Sequence, residues 1–208
     1  MCLPSKTRQL SLLALLTLSG LCYADDQSPD QSPWLVRFRF LDIGTQQSNT
    51  AGGGVKADSV QVSGQTQPEI DLSYFFTQHI SAELVGSFPV SHTVSLNNSP
   101  LGSFQELPPT LNLQYHFTNF GHWMPYVGAG VADMRTFNTN LGPGLGLTEN
   151  NWGEDVQVGM DYALDDHWLV NFDVKKYFMN VGLTSGGTTI ATLRPNPYLI
   201  GFGVGYRF

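Results

Sequence analysis

A two-residue rhythm of apolar and polar side chains constrains this chain more than any other feature. From Trp34 to Phe40, Trp34, Val36, Phe38 and Phe40 face one way, and Arg37 and Arg39 face the other. Successive side chains on a strand point to opposite faces, so this period predicts β-structure and excludes an amphipathic helix. The rhythm recurs in Ile70–Phe76, Ile80–Phe88, Leu111–Phe117, Val127–Val131, Val156–Leu164, Trp168–Val174 and Tyr198–Phe208. Eight segments of about ten residues each match the length a tilted strand needs to cross a bilayer.

The connections alternate in length. Thr77-Gln78, Thr118 to Met124 and Asp165-Asp166 are short, whereas residues 44–68, 89–106, 138–152 and 179–195 are long and rich in Gly, Asn, Ser, Thr and Pro. Short turns on one side and long loops on the other mark a bacterial outer-membrane barrel. We therefore expect an all-β fold, an eight-stranded antiparallel transmembrane β-barrel over residues 25–208, with turns in the periplasm and loops outside. The soluble alternative, a sandwich or lipocalin-like barrel, would carry a heavily charged outer face. Here the polar face is sparse and glycine-rich, as a narrow interior requires, and the chain ends on the aromatic Phe208. Trp34, Tyr74, Phe76, Phe117, Tyr126, Tyr162, Trp168 and Phe208 lie near strand ends and are expected to form interfacial girdles, with Trp123 and Trp152 as further anchors.

Residues 1–24 read as a cleavable signal peptide: basic Lys6 and Arg8, an apolar run from Leu10 to Leu21, and a small residue, Ala24, before Asp25-Asp26. Cys22 follows the bulky Leu21, which argues against lipid attachment. Both cysteines, Cys2 and Cys22, fall in this leader, so the mature chain is expected to use no disulfide. The leader also removes two of the ten basic residues and none of the 17 acidic ones, so the mature chain is more acidic than the full chain at -7. Nucleic acid, which requires a basic face, is excluded as a partner. The expected partners are outer-membrane lipid and, during biogenesis, the secretion and barrel-assembly machinery. The expected location is the outer membrane of a Gram-negative bacterium.

Several local motifs carry a more specific resemblance. They are Leu107-Pro108-Pro109-Thr110, Pro125-Tyr126-Val127-Gly128-Ala129-Gly130, Val156-Gln157-Val158-Gly159-Met160-Asp161-Tyr162, Asp166-His167-Trp168-Leu169-Val170-Asn171 and the ending Gly205-Tyr206-Arg207-Phe208. In this order, from about Trp34 to Phe208, the chain resembles the OmpW family of outer-membrane proteins, AlkL-like barrels included. The resemblance implies eight strands and an apolar interior channel closed toward the periplasm. It also implies passive diffusion of alkanes and other small hydrophobic molecules, with sideways exit through the wall. Pro108 and Pro109, which have no N–H to give to a ladder, are candidates for a lateral gap. The segments Gln46-Gln47-Ser48-Asn49, Gly52-Gly53-Gly54 and Leu141–Leu147 depart from the family pattern and leave the ligand's identity open.

An eight-stranded barrel leaves an interior that side chains nearly fill. The inward charged candidates are Arg37, Arg39, Glu69, Asp71, Glu83, Asp155, Asp161, Asp173, Lys175 and Arg207. They read either as structural pairs across strands or as a solute filter. The inward apolar candidates are Leu35, Leu41, Phe75, Val85, Leu169 and Leu199. They read either as packing or as a greasy passage. Gly201, Gly203 and Gly205 are expected to relieve crowding. Against the passage stands a structural or surface-interaction barrel whose loops contact host, phage or lipid. Catalysis has little support: none of His79, His92, His116, His122 and His167 stands in a metal-binding or nucleophile motif, and His116 faces inward without an evident nucleophile. Gly142-Pro143-Gly144-Leu145-Gly146 lacks the context of a phosphate loop and reads as a surface loop. No cofactor or metal is expected, and the chain is read as a non-enzyme.

Overall fold

The computed structural model describes residues 32–45, 48–52 and 55–208. The leader read over residues 1–24, and Gln46, Gln47, Gly53 and Gly54, lie outside the described residues. Eight strands form the barrel: β1 Trp34–Gly44, β2 Gln65–Phe75, β3 Ile80–Ser87, β4 Thr110–His116, β5 Trp123–Asn140, β6 Asn150–Ala163, β7 Trp168–Met179 and β8 Tyr198–Arg207. Each pairs antiparallel with its neighbour in the chain. The last strand returns to the first, from Leu35 opposite Arg207 to Gly44 opposite Tyr198, and closes the sheet. Closure leaves neither the first nor the last strand as a free edge in lipid, where water cannot satisfy backbone groups.

Burial alternates residue by residue and runs inside out. Phe40, Leu113 and Phe202 are 60%, 60% and 62% exposed, while Arg37, Arg39 and Lys175 are each 0% exposed. A soluble sandwich would invert this arrangement. At the periplasmic end a series of edge-on or tilted aromatic contacts follows the wall: Trp34 with Tyr74 at 4.8 Å, Tyr115 with Phe117 at 5.1 Å, Trp123 with Tyr162 at 4.5 Å, Trp168 with Tyr206 at 5.0 Å and Tyr206 with Phe208 at 5.2 Å. Tyr126, expected in this girdle, lies instead inside the barrel at 0% exposure. Its register opposite His116 and Gly159 places it on the inward, glycine-bearing side of β5.

The periplasmic turns are held by side-chain oxygens. Thr77 Oγ1 accepts the amides of His79 and Ile80, and Asp165 Oδ1 accepts those of His167 and Trp168 at 2.8 and 2.7 Å. Those two backbone amides, Trp168 first, hold the Asp165 carboxyl below its ordinary range.

The extracellular segments contain more regular structure than their turn-rich composition predicts. Val90–Leu96 and Ser99–Leu107 form a hairpin, Val60–Val62 adds to its outer edge, and Ser99–Leu107 pairs with the upper part of β5. A second sheet joins Leu145–Leu147, Val181–Ser185, Thr188–Arg194 and Ser48–Asn49. The tight turns explain both hairpins. Asn97 and Asn98 have φ of 50° and 65°, and Gly186 and Gly187 have 57° and 82°. Two consecutive left-handed residues match the twist of the flanking strands.

The narrow interior fits large side chains against glycines. A Cβ on Gly159 would run into the Tyr126 ring, and one on Gly201 would approach Leu41 Cδ2 to 2.8 Å. Gly159→Val is therefore expected to cost about 1–3 kcal/mol through overpacking. Urea unfolding of the refolded barrel, followed by its heat-modifiable gel mobility, checks this.

Candidate transport lumen

The interior has three levels. The middle one is a belt of charge. Arg37 from β1 grips Asp161 of β6 with two bonds, Nε to Oδ1 at 3.1 Å and Nη2 to Oδ2 at 2.6 Å. Its Nη1 also reaches Ser73 at 2.9 Å and Glu83 at 3.2 Å. Two residues along, Arg39 Nη2 pairs with Asp71 at 2.5 Å and Glu69 at 2.9 Å. Lys175 of β7 lies 3.1 Å from Glu69, and Tyr126 donates its hydroxyl to Asp173 at 2.7 Å. Gln157 donates to both Glu83 and Asp173. Dense pairing of this kind offsets the desolvation of the belt's charges. Asp155 lies above it, buried, and among the described residues neither of its carboxylate oxygens has a hydrogen-bond partner. The belt fills the cross-section and excludes a wide aqueous pore.

Below the belt, Leu35, Phe75 and Leu169 form a small apolar cluster. Arg207, half-buried, lays its guanidinium 4.3 Å from the centre of the Phe75 ring and donates to the Ser32 carbonyl. A vestibule of about 360 Å³ lies beside this cluster. His116 does have a nucleophile nearby, contrary to the sequence reading: Ser81 Oγ lies 3.0 Å from its Nε2. Gln114 Oε1 bonds both groups, and the Ser81 side chain is fully buried, so the pair reads as part of the packed network.

Above the belt the lumen turns apolar. Leu41, Ile43, Phe104, Met134, Leu147, Met179, Val181, Leu183, Leu193 and Leu199 are buried together with Tyr177. The six apolar candidates are thus divided. Leu41 and Leu199 belong to this upper chamber, Leu35, Phe75 and Leu169 lie beneath the belt, and Val85 is buried on β3 opposite Thr110. Most of the chamber was missed because Phe104, Leu147, Val181, Leu183 and Leu193 sit in segments read as loops. Their signal was a continued alternation, visible at Val90, His92 and Val94. The chamber is nearly filled: the cavity among Ile43, Phe104, Met134 and Met179 holds about 30 Å³, room for about one water.

One side of the wall is incomplete beside this chamber. The β3–β4 ladder ends at Val85 opposite Thr110, and the hairpin ladder above resumes at Val90 opposite Glu106. The interval contains Pro89, Pro108 and Pro109. On the far side the wall stays bonded, with the Asp133 amide donating to the Pro109 carbonyl at 3.0 Å. Tyr177, part of the chamber, lies 3.1 Å by its hydroxyl from Thr110 Oγ1, so the chamber floor reaches the interruption.

Across residues 34–208, which include every strand of this barrel, the sequence matches the OmpW family. The chain belongs to the OmpW family. It is 40% identical over 185 residues to the outer-membrane protein y4mB of Sinorhizobium fredii, covering 85% of this chain and 80% of that one. It is 27% identical to the outer-membrane protein AlkL of Ectopseudomonas oleovorans, covering 86% and 84%. Its fold matches the crystal structure of OprG from Pseudomonas aeruginosa with a TM-score of 0.72 at 24% identity, covering 86% of this chain and 97% of that one. The protein is an integral outer-membrane barrel of OmpW and AlkL type in a Gram-negative bacterium, and these relatives are barrels rather than enzymes.

His92 is the one histidine near the chamber. Its Nδ1 donates to the Ser63 carbonyl at 2.7 Å, its Nε2 lies 3.2 Å from Glu106 Oε1, and its ring stacks on Phe104. Burial opposes its protonation, but Glu106, helped by Ser63, outweighs that and raises its pKa above the ordinary value. A raised pKa contributes stability that is fully present below the unfolded value and is lost as pH rises through the folded one. Hydrogen-exchange protection of the Val90–Leu107 hairpin is therefore expected to be greater at about pH 5.5 than at about pH 8.5. The difference should vanish in His92→Gln.

The belt yields a second expectation. Arg39→Ala leaves Asp71 without its cation and Glu69 with Lys175 alone, which should cost about 3–5 kcal/mol. Urea unfolding in lipid vesicles measures the loss, and planar-bilayer recording should find a raised ion conductance as the plug loosens.

Proposed function

We propose that this barrel is a narrow passage through which small hydrophobic molecules diffuse passively, leaving sideways into the membrane between β3 and β4. The observation that carries this reading is the apolar chamber set directly above a charged plug and directly beside the proline interruption. A greasy solute entering among the loops meets Phe104, Met134 and Met179, cannot descend past Arg39 and its carboxylates without shedding their pairing, and has an unbonded stretch of wall at its side. The near-filled chamber requires the loop residues Phe104, Leu147 and Leu193 to part as the solute enters. In this reading Leu41 and Leu199 contact the solute, Val85 borders the exit, Pro108 and Pro109 keep it open, and Leu35, Phe75 and Leu169 are packing beneath the route. The charged residues, Arg207 included, close the lumen, and the protein performs no covalent chemistry.

The test is uptake of a medium-chain alkane by cells with and without the protein, at matched outer-membrane integrity. Uptake should be faster with the protein. It should fall severalfold in Pro108→Ala/Pro109→Ala, which restores two backbone N–H groups, one of them toward the β3 seam, and stay unchanged in Leu169→Phe, below the belt. Equal uptake with and without a folded barrel would overturn the passage. It would favour a surface-interaction barrel acting through host, phage or lipid contacts, for which the two ordered loop sheets would be the scaffold.

A further inference from the structure

The chamber has one polar edge, to which the proposed passage gives no role. His92, Phe104 and Glu106 of the Val90–Leu107 hairpin line the same cavity as Ile43, Met134 and Met179. His92 stands opposite Phe104 in the hairpin ladder, and the two rings stack with centroids 5.5 Å apart. Glu106 follows Phe104 by two residues, on the same face of its strand. Phe104 is among the side chains that have to part as a solute enters. Whatever fixes the His92 ring therefore bears on the entry itself.

Hydrogen-bonding capacity decides which state of His92 fits. Its Nδ1 lies 2.7 Å from the Ser63 carbonyl oxygen, which can only accept, so Nδ1 carries a proton. A neutral imidazole has one N–H, and the Ser63 bond uses it. Nε2 therefore bears a lone pair in the neutral ring and a second N–H in the imidazolium. It faces Glu106 Oε1 at 3.2 Å, off the line of a straight hydrogen bond. For the imidazolium this is an ion-pair contact. For the neutral ring it sets a lone pair against a carboxylate oxygen. The two side chains are only 2% and 16% exposed, so solvent relieves that opposition poorly. Glu106 is the one ionisable group facing His92 among the described residues. Around the same cavity Thr45, Met134, Met179, Val181 and Leu193 bring no charge from the elements packed against it.

We propose that His92 is an acid-closed latch on the chamber, whose imidazolium ties Ser63 to Glu106 and holds Phe104 across the solute's path, and whose neutral ring releases them. The latch rests on the hydrophobic passage proposed above and regulates entry to it. Ser63 keeps its bond to His92 in both states and is joined to Thr93 by two more, from its own amide and through its Oγ. The backbone of Glu106 stays laddered to Thr136 of β5. What loosens is therefore the side chains of Glu106 and Phe104, with the hairpin still in place. Glu106 holds the His92 pKa above its ordinary value, so the latch is closed at acid pH and lets go as pH rises past about 6.5.

Two readouts separate the latch from the passage. In the full barrel in lipid nanodiscs, relaxation-dispersion NMR on ring-labelled phenylalanine follows the exchange of the Phe104 ring. That exchange should be about tenfold faster at about pH 8.5 than at about pH 5.5, the factor that one charge-assisted hydrogen bond supplies. Medium-chain alkane uptake by cells, taken as the difference with and without the protein, should rise severalfold over the same interval; the alkane itself has no group that titrates. Both dependences should vanish in His92→Gln and shrink in Glu106→Gln, whose carboxamide can pair with either state of the ring. Heat-modifiable mobility checks that each variant is folded. A Phe104 ring insensitive to pH, or a sensitivity that survives in His92→Gln, overturns the latch, and so does protein-dependent uptake that is equal at the two pH values. No protein-dependent uptake at either pH, with the ring still released at the higher one, would instead overturn the passage and leave the latch standing.

Discussion

Everything in this molecule depends on satisfying the backbone in a medium that offers no hydrogen bonds. An unpaired amide or carbonyl in hydrocarbon costs several kcal/mol, so the sheet must close, and β8 returns to β1 along ten residue pairs. The same constraint governs where the wall can be interrupted. Between Val85 and Val90 on one side and Glu106 and Thr110 on the other, three positions are proline. Proline has no donor to leave orphaned. The interruption therefore leaves fewer unsatisfied donors than it would with other residues at these three positions. The Pro109 carbonyl is also still bonded from β5. The break is a feature that this sequence tolerates in lipid, and its neighbour strands confine it to one seam.

The second constraint is width. Eight strands enclose too little space for two rows of large side chains, so each bulky inward residue requires a small one opposite it. Tyr126 lies across from Gly159, and Leu41 and Leu169 approach Gly201 and Gly205. Within that space the charges have no water to turn to, and they settle into a network linking β1, β2, β3, β5, β6 and β7. Its energetic importance lies in mutual dependence more than in net attraction. Each member is tolerable only because its partners are present.

The alternation made the strands, their inward faces and the charged belt readable before any coordinates, because a period of two is a direct consequence of strand geometry. Nine of the ten charged candidates and all six apolar ones are buried, and Arg207 is half-buried against the Phe75 ring. Tyr126 was misplaced for a different reason: its nearness to a strand end suggested a girdle, whereas its parity, one step from outward Val127, already placed it inside. The upper chamber is hidden in segments whose Gly, Asn, Ser and Thr content is that of loops although their pattern is that of strands. Asn97-Asn98 and Gly186-Gly187, flanked by alternating residues, were hairpin signals within segments counted as loops. Other facts lie beyond a single sequence. That Arg37 meets Asp161 across 124 positions, or that Ser81 touches His116, follows from register and shear, which no local pattern encodes.

The order of the three interior levels bears on the direction of any traffic. An apolar molecule in the upper chamber replaces side-chain contacts with similar ones, so the cost of its entry is mainly that of displacing Phe104 and its neighbours. Moving downward instead requires it to separate groups such as Arg39 and Asp71 and to put hydrocarbon in place of their charge contacts, against a penalty of several kcal/mol per ion. Moving sideways past Val85 requires only the parting of side chains along a seam with no hydrogen bonds to break. For any solute that partitions into the chamber because it is apolar, the barrier is therefore lowest toward the lipid. The charged belt gives the proposed route its direction without contacting the solute at all.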